Sequence, residues 1–406
     1  MDVTLYQDAA ENGKVRISLP EKWDTEYYGM PGDTMPALTP EQIRSRINRP
    51  SGGMKTIREL ARGRETAVIV FDDASRGTKL KEIAEFVVEE LLAAGIREDN
   101  IEFLCALGNH GAMTRGQFVK KLGENIVGRF CVFNHNPYEN NVLLGYTPEG
   151  VPVEINREFA ESGVRIGIGA ITPHPLNGFG GGGKLLFPGI ASIATTTGNH
   201  TKSKYGQMGQ QSSPVMRMEI EDMTRMAGEF FKIDVIYNAR LDIIGLFAGE
   251  PVAEYYEGIQ AAAVTYRSRI PEKKDVIVAN ANAKVNEADL AILNAAAYLK
   301  ETGGDIVLVN YCPDGQVVHY FSGPFGRKAC GRQWGPMGDE AAHVRRIICL
   351  SPYPDKYSTL RFGDVDGKKR VVWVKTWEEA MELLRKDHGE GTEAGIFSDG
   401  TIQYFA

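Results

Sequence analysis

The chain has 406 residues, enough for two domains with separate cores, and its apolar and charged fractions of 43% and 24% are those of a folded globular protein rather than a disordered one. A net charge of −7 and a pI near 5.7 argue against a nucleic-acid or anionic-membrane role. No apolar run approaches the ~20 residues that span a bilayer, and the start, Met1-Asp2-Val3-Thr4, lacks a signal-peptide pattern, so a cytoplasmic location is expected.

Residues 1–64 read as an opening segment, with a strand at Val15–Leu19 and a helix that begins after Thr39 as N-cap. Glu65–Phe71 is a continuous apolar run that suits a buried parallel strand, and it ends in Asp72-Asp73-Ala74-Ser75-Arg76. Leu80, Ile83, Phe86, Val87, Leu91 and Leu92 then recur at helical spacing up to a stop at Gly95. A strand at Ile101–Leu107 follows and ends in Gly108-Asn109-His110, which completes one βαβ unit. Further strand-like runs are Arg129–Phe133, ending near His135, and Val164–Ile171, leading directly to His174. Helices are expected at Glu219–Met226 and Ala253–Arg269, and the polar stretch Pro271–Asp275 is the best domain boundary. Beyond it a second βαβ is expected from a strand at Asp275–Ala279, a helix at Glu287–Glu301 and a strand at Asp305–Asn310. Strand then helix recur at Arg370–Val374 and Thr376–Lys386.

Ligands of open α/β sheets sit beyond the carboxyl ends of the strands. Asp73 and Arg76, then His110, then His174 and Lys184 each fall just after such an end. Between the last two lies Gly178-Phe179-Gly180-Gly181-Gly182-Gly183, which reads as an anion cradle because glycine lets the backbone approach a ligand closely. The run imitates a P-loop, but Leu185 replaces the Mg²⁺-binding hydroxyl and Pro188 limits the following helix. Arg76 could grip an anion through its fork of donors while an aspartate accepts from ribose hydroxyls; an Asx turn with a surface ion pair is the plainer alternative. His110, His174 and His200 neighbour turns where side chains point into clefts, whereas His135, His319, His343 and His388 are taken as structural. The five cysteines include no Cys-x-x-Cys pair, and Cys105 and Cys131 read as small core residues.

Four separated motifs occur in order: Asp73-Ala74-Ser75-Arg76; Gly108-Asn109-His110 with Met113-Thr114; His174 with Gly178-Phe179, Lys184 and Pro188-Gly189; and His200. Together they resemble the lactate racemase family, whose members use a nickel-pincer nucleotide. The resemblance implies two α/β domains with mainly parallel sheets, here placed at 1–270 for cofactor binding and catalysis and 271–406 for closing the substrate cleft between them. It further implies that a nickel-pyridinium-3,5-bisthiocarboxylate mononucleotide, loaded with the help of cofactor-synthesis proteins, is attached covalently at Lys184. Asp73, Ser75, Arg76 and Gly180 to Gly183 would contact it, and His200 would ligate nickel. His110 and His174 would then be the two proton-transfer groups of an isomerase that inverts Cα of a small-molecule 2-hydroxy acid, with no nucleic-acid or membrane partner.

Departures from that family pattern concern the substrate. Where lactate-type members carry Tyr-Gln-x-x-Lys after an aspartate, alignment on Asp289 places Leu293-Asn294-Ala295-Ala296-Ala297, so the lysine is absent. Gly111 replaces the arginine after the first histidine, and Gly77 and Lys79 replace the prolines of the first motif. A larger or polyhydroxylated acid is therefore expected. The alternatives are a non-catalytic nucleotide- or nickel-binding protein and a P-loop-like phosphohydrolase.

Overall fold

The computed structural model describes residues 1–200, 206–210, 214–319, 343–363 and 369–406 of an α/β protein. Its backbone separates into a central unit, Met35–Tyr237 with Leu241–Val264, and a terminal unit, Met1–Thr34 with Asn238–Arg240 and Thr265–Ala406.

The central unit holds a six-stranded sheet in the spatial order Ile243–Gly249, Phe231–Tyr237, Val164–Ala170, Ala67–Asp72, Ile101–Ala106, Cys131–Asn134. All neighbours run parallel except the edge pair Phe231–Tyr237 and Ile243–Gly249. Every residue of Ala67–Asp72 is buried, as its unbroken apolar run requires. The helix Lys81–Ala93 buries Ile83, Phe86, Val87 and Leu91, and Gly95, at φ +101°, turns the chain out of that helix. From Ala67–Asp72 the chain builds outward to Ile101–Ala106 and Cys131–Asn134, then returns to lay Val164–Ala170 on the other side. That reversal, between Ala67–Asp72 and Val164–Ala170, is the topological switch point of the sheet.

The terminal unit holds a second six-stranded sheet, entirely parallel, in the order Val371–Val374, Val344–Leu350, Gly304–Val309, Val276–Asn280, Glu393–Phe397, Asp24–Tyr28. The pairing of Asp24–Tyr28 with Glu393–Phe397 attaches the first 34 residues to this unit. The units therefore depart from the expected division at residue 270: the opening segment is shared between them, and the helix Pro251–Thr265 ends the central unit earlier.

Thr39 caps the helix Pro40–Ile47 through a full capping box, as expected. The helix expected at 287–301 is shorter, Asp289–Ala296. Cys131 is exposed rather than a core residue, because it starts the edge strand of its sheet; Cys105, on an inner strand, is buried. Among the described residues, no helix is long and apolar enough to cross a membrane.

Candidate active site

Asp73, Ser75, Arg76, His110, His174, Gly180 to Gly183, Lys184 and His200 all lie in the central unit, and Asp73 of the first motif is bonded to His110 of the second. The turn after Ala67–Asp72 brings Asp73 Oδ2 to 2.6 Å from His110 Nδ1. The other carboxyl oxygen accepts from the Ser75 amide at 3.0 Å and the Ser75 hydroxyl at 2.5 Å. Burial alone would raise the Asp73 carboxyl, but His110, Arg76 and Ser75 hold it well below the usual carboxylate range. Arg76 folds back on the turn, with Nη1 donating to the Ser75 carbonyl at 3.1 Å and hydroxyl at 2.8 Å.

The buried amine of Lys121 secures this turn from below. It donates to the carbonyls of Asp73 at 2.8 Å and Arg76 at 2.9 Å, and pairs with Asp72 Oδ1 at 2.8 Å. The Asp73 carboxylate meets His110 and Ser75, while Asp72 Oδ1 meets Lys121 and Thr78. A carboxylate on Nδ1 of an imidazole can orient the ring and leave the other nitrogen free to act as a base.

His174 ends a two-residue strand, Pro173–His174, that pairs with Gly178–Phe179. In the intervening turn the backbone amides of Leu176 and Asn177 point at His174 Nδ1, at 3.1 and 3.4 Å. The opposite nitrogen, Nε2, is 2.9 Å from Lys184 Nζ.

The glycines between them are closely packed by the rest of the protein. Gly181 has φ +94°, and a Cβ there would stand 2.5 Å from Ile171 Cγ1 and 2.9 Å from Asp234 Oδ2. At Gly183 a Cβ would meet Thr224 Oγ1 at 2.0 Å. The amides of Gly180 and Gly182 donate to Thr172 O at 2.8 Å and Asp234 Oδ2 at 2.5 Å. Arg217 donates to the Gly181 carbonyl at 3.1 Å while stacking 3.4 Å from the Tyr255 ring centre, and Tyr255 donates to the Phe179 carbonyl at 3.1 Å. The expected cradle thus uses at least two of its amides inside the protein. Lys184 sits in a single 3-10 turn, Gly182–Leu185, rather than at the start of a long helix, so the P-loop reading is overturned.

His200 is the last residue of the helix Ile193–His200, where Nδ1 faces the Thr196 carbonyl at 3.1 Å. Although an edge of the residue reaches the surface, burial drives its imidazole down to about 3, with Lys184 and His110 adding to the depression.

A ring kept neutral, with Nδ1 donating to a backbone carbonyl and the lone pair on Nε2, has the orientation of a metal-ligating histidine. Among the described residues no group of three or more His, Cys, Asp or Glu could hold a metal.

Of the histidines taken as structural, His135 faces the Ala191 carbonyl at 3.0 Å, His343 the Ala296 carbonyl at 2.9 Å and His388 the buried Asp305 at 3.0 Å. Sequence reasoning passed over Lys121, Arg217, Asp234 and Tyr255. Two charges in the otherwise apolar strand Phe231–Tyr237 were the available signal for a buried pair, and Lys232 Nζ does meet Asp234 Oδ1 at 2.5 Å.

Residues 11–211 match the lactate racemase N-terminal domain. A lactate racemase of Lactiplantibacillus plantarum is 27% identical over 389 residues, covering 89% of each chain. One from Thermoanaerobacterium thermosaccharolyticum is 25% identical over 287 residues, 68% of this chain and 67% of that one. The fold is that of the lactate racemase apoprotein from Thermoanaerobacterium thermosaccharolyticum, with a TM-score of 0.76 at 18% identity and full coverage of both chains. A protein from Thermotoga maritima has a TM-score of 0.62 at 18% identity, over 92% of this chain and 99% of that one. With its motifs in order along a matching N-terminal domain, the chain belongs to the lactate racemase family, a family of isomerases.

Proposed function

We propose that this protein is a cytoplasmic racemase or epimerase that inverts Cα of a 2-hydroxy acid with a nickel-pincer nucleotide as cofactor. The observation that carries the reading is the contact of His174 Nε2 with Lys184 Nζ at 2.9 Å, which sets one candidate base beside the candidate tether, with His110 held on Asp73 at 2.6 Å as the other. Lys184 would tether the nucleotide and His200 Nε2 would ligate its nickel. The bound cofactor would supply a reversible hydride acceptor, so that Cα passes through a planar keto acid open to return from either face.

The chain's own residues handle the proton. His110, oriented by Asp73, takes the substrate hydroxyl proton at Nε2 and returns it; His174 serves the opposite enantiomer. Each enantiomer needs its own base because the hydroxyl changes sides when Cα inverts. Binding of nucleotide or nickel alone would need neither ring, which favours turnover over a carrier role.

The substrate is proposed to be larger or more hydroxylated than lactate. On the helix Asp289–Ala296, Asp289 is paired with Arg361 at 2.9 Å, and Asn294 donates to the carbonyls of Gly400 and Gln403 at 3.2 and 2.8 Å. Neither supplies the cation that lactate-type members use.

The test is intact-mass analysis and peptide mapping after co-expression with cofactor-synthesis proteins. The expected result is a nucleotide adduct on Lys184 that disappears in Lys184→Ala. An unmodified chain, or an adduct on another residue, counts against the proposal.

A further inference from the structure

The loop that carries Asp73 has little of its own to hold it in place. From Asp73 to Lys79 the chain contains a glycine, Gly77, and no proline, and residues 77–80 join no helix or strand. Its fixed point is a buried ammonium from elsewhere. Lys121 Nζ reaches the carbonyls of Asp73 at 2.8 Å and Arg76 at 2.9 Å, the Thr78 hydroxyl at 2.9 Å and Asp72 Oδ1 at 2.8 Å. The Thr78 hydroxyl gives its own hydrogen to Asp72 Oδ1 at 2.6 Å, which leaves its oxygen to accept from the lysine. The Lys121 carbonyl accepts from the Leu80 amide at 3.2 Å, so one residue grips the loop with both its side chain and its backbone.

Lys121 stands in the last turn of the helix Arg115–Leu122. The N-cap of that helix is Thr114, shortly after His110, and its capping box with Gln117 fixes where the helix begins. Between them Asn134 brackets Met113: Oδ1 accepts from the Met113 amide at 3.1 Å and Nδ2 donates to the Met113 carbonyl at 2.9 Å. One helix therefore carries the His110 loop at its start and holds the Asp73 loop at its end.

We infer that Lys121 is a positioning residue for His110: by holding the carbonyls of Asp73 and Arg76, it sets the Asp73 carboxylate against the imidazole. The inference rests on the proposed role of His110 as a base. Asp73 and Arg76 are the two ends of one turn, closed by the Arg76 amide donating to the Asp73 carbonyl at 3.2 Å. An ammonium suits this task because its three N–H groups spread from a single point to oxygens on several sides. An apolar side chain in its place leaves both carbonyls short of a donor, and the turn is then free to carry Asp73 away from its 2.6 Å contact with the ring.

The experiment is proton NMR of ¹⁵N-histidine-labelled, cofactor-free protein, followed at the ring N–H of His110. A carboxylate only accepts, so the hydrogen between Asp73 and His110 is on Nδ1, and a charge-assisted bond of this kind moves its resonance far downfield. Loss of the signal in His110→Gln assigns it. In Lys121→Met the resonance should move upfield, in the direction that Asp73→Asn moves it, or vanish through exchange with solvent. A role confined to stability would lower the unfolding midpoint and leave the resonance in place in the folded protein. Burial pushes the Asp72 carboxyl up, so without its lysine that group can take a proton and stay buried. If Lys121→Met still does not fold, the double variant Asp72→Asn with Lys121→Met carries the same test. A resonance that stays in place in the folded variant overturns the inference, as does the absence of a downfield ring N–H in the parent protein. No nickel, nucleotide or hydroxy acid enters the measurement, so its failure is separable from failure of the proposed reaction.

Discussion

Asp73 and His110, 37 residues apart in the chain, meet at 2.6 Å with the carboxylate buried and the ring partly so. One strand end supplies the proposed base and the neighbouring strand end supplies the carboxylate bonded to it. Asp73→Asn keeps the shape but weakens both the charge and the demand for a hydrogen on Nδ1. In cofactor-loaded enzyme kcat should fall by about 10²-fold, the scale of a general base lost, with KM nearly unchanged. Full retention of kcat would remove Asp73 from the proton path.

Gly183 faces Thr224 so closely that an added methyl collides with Oγ1. Gly183→Ala should therefore cost about 1–3 kcal/mol by overpacking. Thr224→Ala in the same chain removes the atom at 2.0 Å and leaves the next contact at 3.1 Å, so it should recover part of the loss. Urea denaturation of the two single variants and the double variant gives the coupling. Additive losses would show that the glycine is not held by this contact.

Asp305, fully buried, gathers Arg345 at 2.7 Å, Arg346 at 2.5 Å and His388 at 3.0 Å. Burial opposes its ionisation, but His388 and the two arginines hold the carboxyl well below the ordinary range. A depressed carboxyl stabilises the fold above its unfolded-state value near 4, and that contribution disappears as pH falls through the folded value. Asp305→Asn should cost about 3 kcal/mol at pH 7, the low end for breaking a buried pair because Arg345 reaches solvent. The deficit should shrink below about pH 4. Urea midpoints across pH measure it, and a deficit that grows in acid would contradict the assignment.

The proposed nickel ligand, His200, and the proposed tether, Lys184, are different residues, so the two functions should come apart. His200→Ala should retain the Lys184 adduct by mass spectrometry yet lose most of its nickel by elemental analysis. Undiminished nickel would place the metal elsewhere.

The strands of the central sheet were legible because Ala67–Asp72 and Val164–Ala170 are nearly unbroken apolar runs closed by polar turns. The candidate site residues stand out in the sequence for the same reason: they follow those turns. What could not be read was pairing at long range. Asp24–Tyr28 finds Glu393–Phe397 across almost the whole chain, and nothing local in either segment names its partner.

The glycine run shows the same limit at one site. Its composition says only that side chains are excluded, whereas the excluding atoms belong to Ile171, Arg217, Thr224 and Asp234. Whether a glycine yields to a ligand or to the protein is settled in three dimensions. Cys131 was misplaced for a related reason, since an apolar run does not reveal which strand forms the edge.

The most direct test of the reaction uses cofactor-loaded protein with 2-hydroxy acids, including aldonic acids, deuterated at Cα and incubated in ordinary water. The expected product has inverted configuration and keeps its deuterium, because hydrogen leaves and returns as hydride. Inversion with loss of deuterium to solvent would replace hydride transfer by simple deprotonation, and absence of inversion from a loaded enzyme across the panel would contradict the proposed activity.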